Sequence, residues 1–184
     1  MIVAGVDEAG RGPWAGPVAA AAVVLRGSIP AGLDDSKKLS AKRRETLFAA
    51  LRASDALIGV GQASVAEIDA INILQATYLA MTRAVAALGI EPAEVLVDGN
   101  RLPKWRWPAR AIIGGDASVP AIAAASIIAK VTRDAIMADL HAAHPHYGWA
   151  TNQGYGTAFH AAALKIHGPC IHHRRSFAPI RALL

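Results

Sequence analysis

Hydrophobic and polar positions follow two rhythms along the chain, and each rhythm marks an element. Ile2 to Val6 is a short apolar run that predicts a buried strand. It delivers two adjacent carboxylates, Asp7 and Glu8, into a glycine-rich turn, Gly10-Arg11-Gly12. Pro13 and Pro17 hold off any regular element until about residue 18. Val18 to Leu25 is apolar throughout and predicts a second buried strand, antiparallel to the first because the connection is short. Asp34 to Ser40 is a polar loop ending in a helix cap at Ser40, and Leu47, Phe48 and Leu51 give an apolar side to a helix over 41–53. Residues 56–63 predict a strand interrupted by Gly59 and Gly61. Ser64 and Glu67 have capping-box spacing; from there Ile68, Ile71, Gln75, Tyr78, Thr82 and Val85 trace one helical stripe to about Leu88, and Gly89 stops it.

In the second half, residues 94–98 predict a short strand ending at Asp98, with Gly99 and Asn100 turning away. Residues 110–113 predict another, running into Gly114-Gly115-Asp116. From Pro120 to Leu140 helical steps join Ile122, Ser126, Ala129, Arg133 and Met137. Pro145 ends that region, and His146 to Thr157 is a glycine-punctuated loop carrying aromatics, Tyr155 among them. Thr157 caps a helix over 158–167, Pro169 breaks it, His172 to Phe177 is a compact basic segment, and the last seven residues hold no clear element. Strands alternating with helices imply an α/β fold, a sheet covered by helices. No repeat or linker divides the chain, so residues 1–184 predict one domain, with 141–184 as a basic carboxy-terminal region.

Composition narrows this picture. Of 184 residues 53% are hydrophobic, but many are alanine, which favours close helix packing over a bulky aromatic core. The single cysteine, Cys170, excludes an intrachain disulfide. Asp7 and Glu8 interrupt the first apolar stretch, so no secretory segment is expected, no run is long enough for a membrane, and a cytoplasmic monomer is anticipated. The net charge is +5, and beyond Asp139 there is no acidic residue, whereas Lys165, Arg174, Arg175, Arg181 and all seven histidines lie there. A basic, carboxylate-free tail suggests a polyanionic partner such as nucleic acid; a merely basic surface would give the same charge.

Chemistry enters at the strand ends, where open α/β sheets gather their ligands. Asp7, Glu8, Asp98 and Asp116 all fall at such ends and are able to converge. Four oxygen donors suit Mg²⁺ or Mn²⁺ better than zinc, and two such ions could activate a water and neutralise a phosphodiester leaving oxygen. Arg11, Lys37 and Lys38 could hold a phosphate backbone, Tyr155 could pack against a sugar, and His172 and His173 could transfer a proton or contact phosphate. Blander roles fit the same residues: a solvated turn, solvated lysines, a half-buried aromatic, surface histidines. Gly10-Arg11-Gly12 is not a nucleotide-binding loop, because neither a Lys-Ser/Thr pair nor a third glycine at a helix start comes after it.

Taken together, the motifs resemble bacterial ribonuclease HII along essentially the whole chain. The resemblance rests on Gly5-Val-Asp-Glu-Ala-Gly-Arg-Gly12 with Trp14-Ala-Gly-Pro17, Asp35-Ser-Lys-Lys-Leu-Ser40, Val97-Asp-Gly99, Gly115-Asp116, Ala121 through Asp134, Gly154-Tyr-Gly156 and His173-Arg-Arg-Ser-Phe177. It implies a ribonuclease H-like mixed β-sheet flanked by helices, with a helical carboxy-terminal region that binds substrate. It implies an endonuclease that cuts on the 5′ side of a ribonucleotide in RNA–DNA hybrids and in duplex DNA with embedded ribonucleotides, leaving 3′-hydroxyl and 5′-phosphate ends. By that resemblance Asp7, Glu8, Asp98 and Asp116 form the metal centre, with two Mg²⁺ or Mn²⁺ ions in the catalytic complex. Gly10, Arg11 and Gly12 read the ribose 2′-hydroxyl and the neighbouring phosphate, and Tyr155 packs at the sugar. Lys37, Lys38, Arg174 and Arg175 complete the expected substrate contacts, and a replication clamp is left open as a partner. Gln153 stands where many relatives carry lysine, a change expected to affect salt dependence or affinity more than the reaction. Asp134, beside Arg133, is expected to form a structural salt bridge or to support the metal ligands from behind rather than to bind metal directly. Two alternatives stand beside this reading: a ribonuclease HIII-like enzyme preferring long hybrids, and a nucleic-acid-binding module with structural carboxylates.

Overall fold

A computed structural model describes residues 1–184. Five strands form one sheet in the order β3-β2-β1-β4-β5. They are β1 (Val3–Ala9), β2 (Val18–Val24), β3 (Leu57–Ala63), β4 (Glu94–Asp98) and β5 (Ala109–Ile112). The β1–β2 and β2–β3 pairs are antiparallel, and β1–β4 and β4–β5 are parallel. Strand β1 runs further than its apolar residues suggest: Asp7 and Glu8 lie inside it, paired with Ala21 and Ala20 of β2. Pairing continues because backbone hydrogen bonding to β2 does not depend on side-chain polarity.

Helices α1 (Ala41–Ala53) and α4 (Pro120–Ala143) cover one face and α2 (Val65–Ala86) the other. The alanines of β2 allow both layers to approach: Ala20 and Ala22 pack toward α2, and Ala21 toward α1 and α4. Gly59 and Gly61, read from sequence as interruptions of β3, serve the same end. A methyl group at either would collide with the α2 carbonyls of Ala84 or Ala80.

Helix α2 departs from the expected single stripe. Asn72 sits at φ 67° and ψ 165°, and its side-chain oxygen accepts from the backbone N–H groups of Leu74 (3.0 Å) and Gln75 (3.1 Å). It is an N-cap inside the helix, and it resets the phase. Ile71 is therefore exposed, while Thr77, Ala80, Met81 and Ala84 face the sheet. In α4 the expected stripe of Ile122, Ser126, Ala129, Arg133 and Met137 is buried along its whole length.

After the short helix α3 (Gly115–Ser118) and α4, the chain continues through a 3-10 turn (Pro145–Tyr147), α5 (Trp149–Asn152), α6 (Ala158–His167) and α7 (Ala178–Arg181). The final residues thus hold one helical turn, anchored by buried Ile180. Tyr147, Trp149, Leu164 and Ile180 form a separate apolar cluster that reaches back to Ala15 and Met137. This cluster fixes the tail behind the glycine turn. No helix is long and apolar enough to cross a membrane.

Candidate active site

Alternation along β1 sends its two carboxylates to opposite faces of the sheet. Ala4 and Val6 pack in the α2 layer and Gly5 lies against the start of α4, so Asp7 emerges on the α4 side and Glu8 on the α2 side. Asp98 closes β4, and the parallel register that sets Val6 beside Val97 carries it alongside Asp7. From β5, Gly114 turns the chain at φ 64° and brings Asp116 back over the end of β4. Asp98 accepts from the N–H groups of Gly115 (2.8 Å) and Asp116 (3.3 Å), and Asp7 from that of Glu8 (2.7 Å).

The result is a cluster in which carboxylate oxygens of Asp7, Asp98 and Asp116 lie within 4.8 Å of one another. Glu8 stands beside the cluster rather than in it, 3.6 Å from the guanidinium of Arg11. Burial, reinforced by Glu8 and Asp98, raises the Asp7 pKa well above the usual carboxylate range. Burial also raises Glu8, against the opposing pull of Arg11, and raises Asp116 with help from Asp98 and Asp35. Hard oxygen donors crowded this closely fit a small divalent cation, which would relieve the repulsion they impose on one another.

Two clefts meet at Glu8 and Arg11. One, of about 330 Å³, is lined by Asp7, the glycine turn, Ser36, Lys37, Lys130 and Tyr155. The other, also about 330 Å³, runs between the end of β4 and α2, past Asn100 and Arg101. Lys37 faces the carboxylates; partial desolvation opposes its charge, but Asp35, Asp7 and Asp116 outweigh it and raise its pKa. Lys38 instead pairs with Asp34 at 3.4 Å on the exposed side of the loop. Tyr155 is 46% exposed, and its ring lies close against Gly12.

Behind the glycine turn sit two buried arginines. Arg174, expected to touch substrate, is fully buried and donates to the carbonyls of Gly10, Arg11 (2.9 Å), Gly16 (2.9 Å) and Pro17 (3.2 Å). That expectation is corrected: the carbonyls between Gly10 and Pro17 supply enough acceptors to take a guanidinium out of water, so the residue shapes the turn from within. Arg133 does the same from α4, donating to Ala15 (3.0 Å), Pro17 (3.0 Å) and Gln153 (2.9 Å). Gly10 is required here, because a side chain at its φ of 96° would run into Arg133. Burial lowers Arg133 to about 10 and, with Arg133 beside it, Arg174 to about 9, so both remain charged at neutral pH. With their carbonyls turned inward to Arg174, Gly10 and Arg11 are held in one conformation at the cleft.

Arg175 stays exposed, while its backbone N–H and that of Ser176 are held by Asp69 of α2 at 3.0 and 2.9 Å. Asp134 forms its salt bridge with Lys130 (2.7 Å) instead of Arg133, whose guanidinium is engaged elsewhere. His173 is buried and His172 half-buried, so neither is a surface histidine. Sequence reasoning passed over Ser36 and Ser126, which hydrogen-bond each other at 2.7 Å under the cleft, and Asp69; only the polarity of Ser126 on an apolar stripe gave a signal.

The fold is found in solved structures. The chain superposes on the ribonuclease H2 of Pyrococcus horikoshii OT3 with TM-score 0.78 and 31% identity, covering 100% of this chain and 97% of that one. The ribonuclease HII of Archaeoglobus fulgidus, solved in complex with PCNA, gives TM-score 0.78 at 26% identity over 95% and 94% of the two chains. A ribonuclease HIII solved with Mn²⁺ shares the fold, with TM-score 0.75 at 19% identity over 98% of this chain and 68% of that one. Fold and site together define a metal-dependent endonuclease of the ribonuclease H class. Within that class, a sequence profile for ribonuclease HII matches residues 4–180. The ribonuclease HII of Sphingopyxis alaskensis is 65% identical over 182 residues, 99% of this chain and 91% of that protein. That of Paracidovorax citrulli is 63% identical over 182 residues, 98% of this chain and 76% of that protein. The chain belongs to the ribonuclease HII family.

Proposed function

We propose that the protein cuts the phosphodiester on the 5′ side of a ribonucleotide, in RNA–DNA hybrids and in duplex DNA with embedded ribonucleotides, leaving 3′-hydroxyl and 5′-phosphate ends. The observation that carries this reading is the acidic cluster of Asp7, Asp98 and Asp116 opening onto the cleft shared by the glycine turn and Tyr155. Asp7, Glu8, Asp98 and Asp116 would hold Mg²⁺ or Mn²⁺. Such ions supply an activated water and charge neutralisation at the leaving oxygen.

The protein's own residues do the rest. Arg133 and Arg174 hold the carbonyls around the glycine turn, so that backbone N–H groups of Gly10 to Gly12 can meet a ribose 2′-hydroxyl and its phosphate. Tyr155 packs against the sugar, and Lys37 adds positive charge at the cleft wall. Arg11 favours the ionised form of Glu8 beside the cluster. Residues 141–184 act as the substrate-binding region through Tyr155 and through the support that Arg174 gives the turn.

The test is cleavage of an end-labelled DNA duplex carrying one ribonucleotide, with Mg²⁺ and Mn²⁺ supplied separately. A metal-dependent cut 5′ to the ribonucleotide is expected, with an all-DNA duplex left intact. A folded protein that binds the duplex and leaves it whole under both metals refutes the reading.

A further inference from the structure

Tyr155 is held in place from behind by a line of hydrogen bonds whose proton order can be read off. The backbone N–H of Cys170 donates to Nδ1 of His173 at 3.0 Å. A backbone amide has no acceptor role there, so Nδ1 is unprotonated and the neutral ring carries its proton on Nε2. Nε2 of His173 lies 3.0 Å from Nε2 of His160, and the indole N–H of Trp149 points to the same nitrogen at 3.3 Å. Indole can only donate, so Nε2 of His160 accepts and its proton sits on Nδ1. That Nδ1 is 2.9 Å from the carbonyl oxygen of Tyr155, to which it donates.

Both rings are buried to within 1% of complete, and desolvation holds His173 down to about 4 and His160 below its ordinary value. They are therefore neutral under working conditions, as the relay requires. The line also joins two parts of the reader. His173 pairs by a β-bridge with Ala15, and the next residue, Arg174, holds the carbonyls of Gly10 and Arg11. One short segment thus restrains the glycine turn through its backbone and Arg174, and Tyr155 through His173 and His160.

We propose that His160 and His173 are positioning residues for ribonucleotide selection: as a neutral pair of fixed tautomers they hold the Tyr155 backbone, and hence its ring, against Gly12. This rests on the reading of Tyr155 as the residue that packs at the sugar, and it adds how that residue is aimed. A purely structural role would leave the choice between substrates unchanged in a folded variant, so substrate selectivity is the readout that separates the two.

Two measurements on the full-length protein test it. In long-range ¹H–¹⁵N spectra of the wild type at neutral pH, His160 is expected as the Nδ1–H tautomer and His173 as the Nε2–H tautomer; the reverse assignment, or an imidazolium at either, overturns the relay. Selectivity is then read as the ratio of kcat/KM for a single embedded ribonucleotide to kcat/KM for a long hybrid. Tyr155→Ala should lower that ratio about tenfold and His160→Leu about fivefold, the scale of one lost hydrogen bond. His160→Asn, which keeps an N–H where Nδ1 stood, should stay within about twofold of wild type. An unchanged ratio in Tyr155→Ala overturns the sugar-packing reading and this proposal with it. A lowered ratio in Tyr155→Ala with an unchanged one in folded His160→Leu overturns the relay alone. If His160→Leu does not fold, the wild-type spectra decide.

Discussion

Asp7→Asn should make the metal-free protein more stable while removing its activity. Carboxylate oxygens of Asp7, Asp98 and Asp116 lie within 4.8 Å of one another, so each fully ionised pair is worth about 3.5 kcal/mol of repulsion at an effective dielectric near 20. Burial first, and then Glu8 and Asp98, raise the Asp7 pKa well above the usual carboxylate range, so the folded state opposes its ionisation. The raised pKa is a cost to the folded state, because the unfolded chain ionises freely at neutral pH. A carboxyl whose folded pKa is raised contributes its stability at low pH and loses it as pH rises through that value. Asparagine removes the ionisation and keeps an oxygen for the Glu8 N–H, now 2.7 Å from Asp7. We take about 2 kcal/mol as the gain that survives local relaxation, equivalent to roughly 4–8 °C in Tm for a chain of this size. The assay is urea and thermal unfolding at neutral pH in chelator, repeated toward pH 4 and with added Mg²⁺ or Mn²⁺. The gain should shrink toward about pH 4, where the unfolded carboxyls protonate too, and divalent metal should stabilise wild type more than the variant. Turnover should fall by a factor on the order of a thousand. Loss of stability at neutral pH, or a gain that persists undiminished in acid, would refute the electrostatic account.

Three further outcomes concern residues outside the acidic cluster. Arg174→Met leaves the buried carbonyls around the glycine turn without their donor, and should cost roughly 3 kcal/mol or more in urea unfolding and raise KM; a loss under about 1 kcal/mol would mean that the guanidinium does not hold the turn. Stability should fall as pH drops from about 6.5 to about 4, because the unfolded chain takes up a proton that buried His173 refuses. That shift is worth about 3 kcal/mol, and the slope of unfolding midpoint against pH should flatten in His173→Asn; an equal slope in the variant would assign the loss to other groups. At Asn72, whose φ of 67° and ψ of 165° belong to a region that only glycine occupies freely, Asn72→Ala should destabilise by about 1–3 kcal/mol while Asn72→Gly should not. Equal thermal melts of the two variants would contradict both the strain and the internal cap.

Elements whose signals are local were legible in the sequence. Ser40, Ser64 and Thr157 each announce a helix start through a hydroxyl that accepts an N–H three residues ahead, and the structure has those bonds. The carboxylates could be assigned to one end of the sheet because a strand carries its terminal residues to the sheet edge, although β1 runs through Asp7 and Glu8 and so divides them between its faces. Asn72 was hidden because a cap inside a helix leaves the apolar composition on both sides intact and only shifts its phase. Arg174 and His173 were hidden for a different reason. Their residue types point to solvent or phosphate, and what takes them inside is a set of partners far along the chain: the carbonyls of Gly10, Arg11 and Gly16 for Arg174, and a histidine thirteen positions away for His173. Burial of a polar side chain is decided by whether its partners converge, and convergence is a property of the fold. For the same reason, the charge of the tail divides between surface and interior: Arg175 remains exposed, whereas Arg174 turns inward and holds the carbonyls of the glycine turn.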